Sequence, residues 1–268
     1  PEIKKASIKL AYAALSSRPG GSRGDQRTLQ DAAQRYVSAY PGDPGADGAR
    51  LTIAQLTKDS QKAFYMLNNV KKPKKFQGGV EQTKFYLMAR DFSNALRKGN
   101  EKSLSAIAKR GIQTFKGLPS KDRQKPDSLA IVLQMRALVD EQPKKVLAAI
   151  DKIEANIKLS ITAREAMLWA RIKCYERLND YEAMTAFIAK IAAGRPEAWQ
   201  MEQIYPAVRS LPGDANRLKI VRTMIPGLAK IPSMERRFRV MEIDAMLALE
   251  QYEQAYDASK AFLALYPR

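Results

Sequence analysis

Four ammonium groups fall within five positions at Lys71, Lys72, Lys74 and Lys75, interrupted by Pro73 and followed by Phe76 and Gly78-Gly79. A lysine head is a compact charge that meets phosphate or carboxylate oxygens, and an adjacent aromatic ring can stack on a base. Lys102, Lys109 and Lys116 recur every seven residues, so on a helix they line one side and could extend the same anionic track. A solvated helix face is the plainer reading of that row. A different chemistry attaches to Trp169, which shares a helical face with Glu165, Lys173 and Glu176. A tryptophan among charges is either covered by an adjoining element or available to a binding partner.

Groups that could do covalent or acid–base work are sparse. The sequence has no histidine, which removes the usual general base and the commonest transition-metal ligand together. Its one cysteine, Cys174, lies among apolar residues and reads as an unreactive core thiol. Asp180 with Glu182, and Glu242 with Asp244, stand two residues apart and therefore point to different sides of a helix. Gly20, Gly21 and Gly24 follow no strand pattern, and no phosphate-loop motif occurs. Asp43 and Asp47 in PGDPGADG match no calcium loop and read as turn residues. The expectation is a protein that is not an enzyme, with no cofactor and no metal.

The chain of 268 residues carries 46 basic against 28 acidic side chains, a net charge of +18. Residues 61–125 hold sixteen of the basic residues and four acids, so +12 of the excess sits in that window. A field of this sign favours an acidic protein, nucleic acid, an acidic membrane surface or a cell-wall polymer. No apolar run is long enough for a transmembrane segment.

The elements that would position these groups are helices. Apolar spacings of three and four predict helices over 4–17, 26–40, 47–68, 79–98, 101–118, 126–140, 143–156, 160–178, 180–194, 197–210, 214–229, 232–249 and 251–266. Arg18-Pro19-Gly20-Gly21 breaks the first pair, and Asp25 is placed to cap the helix after it. In 160–178, Leu168, Ile172 and Tyr175 form one apolar sector and Met167, Cys174 and Leu178 another, so that helix must pack on two neighbours. The second helices end near 118, 156, 194, 229 and 266, steps of 38, 38, 35 and 37 residues. One hairpin per period is the mark of an α-solenoid.

LNDYEAMTAFIAKIAAGRP and LEQYEQAYDASKAFLALYP carry an aromatic at the turn, a small or apolar residue three later, an apolar second helix and a closing proline. The residues are Tyr181, Met184, Ile188, Ile191 and Pro196 in one, and Tyr252, Ala255, Phe262 and Pro267 in the other, with Tyr175 as the first-helix aromatic. This resembles the second half of a tetratricopeptide repeat, convincingly over the last 140 residues or so and by length and pattern before that. Ile172 and Ile243 stand where that family has a small residue. The resemblance implies an all-α, right-handed TPR-like superhelix of about seven antiparallel hairpins, binding peptides or proteins on a concave surface lined by first helices.

The expected arrangement is a single elongated solenoid over 1–268. Its sub-regions are 1–78 with Gly/Pro- and Lys-rich loops, a basic hairpin at 79–125, and regular repeats over 126–268. Two functions are open. One is a protein-binding scaffold acting through Trp169, Glu165, Lys173 and Glu176. The other is an anion-binding module acting through Lys71, Lys72, Lys74, Lys75, Lys102, Lys109 and Lys116. The Tyr-Pro hairpin endings and the initial Pro1 resemble processed envelope proteins, so a periplasmic or envelope location is expected, with the cytoplasm as the alternative.

Overall fold

The computed structural model describes residues 2–17, 22–76, 78–194 and 196–267. The predicted breaker at Arg18-Pro19-Gly20-Gly21 lies outside them. Every regular element among the described residues is helical, with no strand, so the chain is all-α. It divides into two compact units, Pro1–Met135 and Arg136–Arg268.

The first unit contains α1 (Glu2–Ser16), α2 (Arg23–Ala39), α3 (Ala46–Leu56), α4 (Ser60–Asn68), a 3-10 turn at Pro73–Phe76, α5 (Gly79–Arg97), α6 (Glu101–Lys116) and the short α7 (Ser120–Arg123). The unit boundary falls inside α8 (Pro126–Val139). Consecutive helices pack as neighbours from α1 to α6, and α3 also meets α5. Ala33, Tyr36, Ala46, Ala49 and Ile53 form one buried cluster, and Ala54, Ala63, Leu67, Val70, Val80 and Leu87 the next. The alanines let helix axes approach closely while the larger residues fill the space between them.

The second unit continues with α9 (Pro143–Asn156), α10 (Ile161–Leu178), α11 (Tyr181–Ala193), α12 (Ala198–Arg209), α13 (Asp214–Met224), α14 (Pro232–Ala248) and α15 (Tyr252–Leu265). First helices meet first helices, α10 with α12 and α12 with α14, while the second helices α11 and α13 meet each other. Leu168, Ile172, Met184, Ile188, Met201, Ile204, Val221 and Phe238 are buried in the core between those layers. Both predicted sectors of α10 are used, since Met167 and Cys174 are buried on its other side. Burial pushes the Cys174 thiol up to about 11, so it stays protonated and inert near neutral pH.

Three boundaries differ from the sequence-based expectation. Residues 47–68 form two helices, because Thr57 turns to an extended ψ of 142° and the Asp59 carboxylate caps a new start by accepting from the Gln61 and Lys62 amides. The freed Thr57 and Lys58 carbonyls accept from the Arg90 guanidinium at 3.1 Å each. Residues 214–229 end their α-helix at Met224 and continue as a 3-10 turn at Ile225–Leu228, since Pro226 has no N–H to donate. The helix read as starting at residue 26 begins at Arg23: Ser22 is its cap, and Asp25 closes a capping box by accepting from the Ser22 amide at 2.8 Å.

Candidate binding surfaces

The lysine loop is a built element. The buried Asp47 carboxylate at the start of α3 accepts from the backbone amides of Lys71 (3.1 Å to each oxygen) and Lys72 (3.0 Å), and from the Arg50 guanidinium at 2.8 Å. Arg50 is itself buried and also donates to the Pro41 carbonyl at 2.6 Å. Burial alone would raise the Asp47 carboxyl, but the two amides and the guanidinium outweigh it and hold it below its usual range. At the far end of the loop Gly78 takes a left-handed φ of 89°, and a Cβ there would run into the Pro119 ring. The loop is thus fixed to α3 at one end and to the segment following α6 at the other.

Lys71, Lys72, Lys74 and Lys75 are all exposed and have no ion-pair partner among the described residues. Phe76 does not stand free as a stacking ring, because it packs half-buried against the cluster of Ala54, Leu67 and Val80 and serves as the loop's apolar anchor. Lys109 and Lys116 are exposed on α6, and the side chain of Lys102 lies outside the described residues. The first unit carries 25 basic and 11 acidic residues, net +14, and the second 21 and 17, net +4.

On α10 the four predicted residues do share a stripe, and each is half-buried. Lys173 and Glu176 pair with each other at 2.9 Å, leaving Trp169 and Glu165 as their neighbours along the helix. The buried Arg171, between the two apolar sectors, had no sequence signal. Its guanidinium meets Asp151 and Glu154 of α9 at 2.7 Å each and lies over the Phe187 ring of α11 at 5.1 Å. Burial works against its charge, yet the two carboxylates raise its pKa on balance and so favour the cation.

The first-helix layer carries a second set that sequence reading missed. Arg164 of α10 reaches Glu197 at 3.4 Å and lies over Trp199 at the start of α12. Arg237 of α14 reaches Glu202 of α12 at 3.1 Å and sits 4.0 Å from the Tyr205 ring centre. These partners are separated by 33 and 35 residues, about one repeat length, which was the available signal. Exposed pairs of this kind contribute little energy each, but they set the chemistry of the surface as arginine stacked on aromatics beside carboxylates.

Among the described residues no cluster of acids and cysteine is placed to hold a metal ion, and no helix is long and apolar enough to cross a membrane. Comparisons of the chain with protein-family models, with curated proteins and with solved structures find no match in any of the three.

Proposed function

We propose that the chain is a non-catalytic protein-binding scaffold of tetratricopeptide-like hairpins stacked as an α-solenoid, taking a partner on its first-helix surface around Trp169, Glu165, Lys173 and Glu176. The observation that carries this reading is the layering of the second unit, where α10, α12 and α14 lie side by side with α11 and α13 behind them. Such a layer presents one broad surface assembled from many small contributions, which suits docking of another chain. Its aromatic and arginine content matches the residue types that dominate binding energy at protein interfaces. Trp169→Ala is expected to weaken a captured partner about tenfold or more while the helical circular dichroism and melting temperature stay close to wild type. A variant that unfolds while residual folded protein still binds normally would remove Trp169 from the interface.

A second reading rests on one observation, the four exposed lysines on a pinned loop whose ammonium groups have no ion-pair partner among the described residues. Together with Lys109 and Lys116, and Lys102 by its heptad place, they would contact an anionic polymer through its phosphates or carboxylates. Contacts of that kind weaken steeply with salt.

A further inference from the structure

Helices α4, α5 and α6 of the first unit line an open groove of about 500 Å³, with Phe64 and Asn68 from α4, Met88 from α5, and Arg110, Gln113 and Thr114 from α6. Its floor is apolar, with Met88 buried and Phe64 half-buried against the cluster that includes Leu67 and Val80. Tyr65, two-thirds exposed at 66%, stands on α4 next to Phe64. The rim charge left without an ion-pair partner among the described residues is basic. Asp91 is the acid lining the groove, and its carboxylate already accepts from the Ser60 hydroxyl at 2.6 Å with the Arg90 guanidinium 3.9 Å away. Arg110 is exposed and has no ion-pair partner among the described residues. Lys109, Gln113 and Lys116 follow at i, i+4 and i+7 on the same helix, so both exposed lysines border the Gln113 wall.

We propose that this groove docks an acidic amphipathic helix of a protein partner, its apolar stripe on Phe64 and Met88 and its carboxylates against Arg110, Lys109 and Lys116. A trough between two helices with an apolar floor takes side chains spaced at i, i+3, i+4 and i+7. The nine residues of α4 span about 13 Å, enough to seat two to three turns of such a helix. Unpaired cations along the rim select carboxylates on the flanks of that helix and reject basic ones. A single-stranded nucleic acid needs a ring plane open for stacking within the groove, whereas the floor here is a recessed methionine and a phenylalanine packed on its core, and the exposed Tyr65 is not among the lining residues. A membrane surface needs apolar groups that protrude, and this feature is concave. The groove lies in the first unit, so its fate is independent of the Trp169 surface.

The test is selection of 16-residue peptides from a random displayed library against the full chain, followed by titration of the enriched peptides on wild type, Arg110→Glu and Gln113→Glu. Enriched sequences are expected to combine Leu, Ile, Phe or Met at helical spacing with Asp and Glu. Their affinity should fall about tenfold in Arg110→Glu, whose exposed position keeps the fold intact by circular dichroism. The single strand dT20 and phosphatidylserine-containing vesicles serve as competitors. Selection that enriches nothing, enriches peptides without that pattern, or yields binding within twofold of wild type in both variants overturns the proposal. Displacement of the peptides by dT20 or vesicles that bind more tightly and depend equally on Arg110 overturns it as well, and assigns the groove to a polyanion.

Discussion

Asp47 ties α3 to the lysine loop that follows α4. It is buried, it neutralises the buried Arg50, and it gives two loop amides their acceptor. Removing it leaves two N–H groups without that acceptor and the buried Arg50 charge with the Pro41 carbonyl but no carboxylate, so Asp47→Ala should cost about 3 kcal/mol. Thermal unfolding measures that loss, and hydrogen exchange should quicken first at Lys71 and Lys72. Because its carboxyl is held below the usual 3.8, this contribution is present above that pH and is lost as pH falls further through the depressed value. The sequence placed Asp47 in a turn. Its main role was not legible because its partners lie 24 and 25 residues on, and nothing local distinguishes a carboxylate that will be buried from one that faces water. Arg171 was hidden for the same reason, since its acids sit on the preceding helix.

At the scale of the element, helix existence was read from apolar spacing and most ends from Pro, Gly and capping residues. The misplaced boundary at Thr57 shows where that reading runs out. Apolar residues up to Leu56 and again from Ala63 were joined across the polar run 57–62, whereas there the Asp59 side chain and the Arg90 bonds to two carbonyls make two shorter helices locally stable. Asp59→Ala should cost about 1 kcal/mol by loss of the cap. Its amide exchange should rise over the first turn of α4 and leave α2 unchanged. Exchange that rises uniformly across the first unit would show instead that Asp59 matters to the core. The short α7 and the 3-10 turn at Pro73–Phe76 were read as loop, since four residues carry no usable period.

For the whole molecule, the charge excess concentrates in the first unit at +14, and the layered first helices of the second unit carry arginine–aromatic–carboxylate sets at much lower net charge. The stacked arginine–aromatic sets and the unpaired lysines of the Lys71–Lys75 loop therefore lie in different units of the chain. The α4–α6 groove was invisible in the sequence because Phe64, Met88 and Arg110 belong to three helices, although the lysine row beside it was legible from its heptad spacing. We propose above that the chain binds protein. Its most direct test is affinity capture from source-cell extract at physiological salt, with and without nuclease, with both proteins and nucleic acid identified. The expected result is a protein held in stoichiometric amount that survives nuclease. Recovery of nucleic acid, with co-purifying proteins lost after nuclease treatment, would contradict it and transfer the function to the basic surface of the first unit.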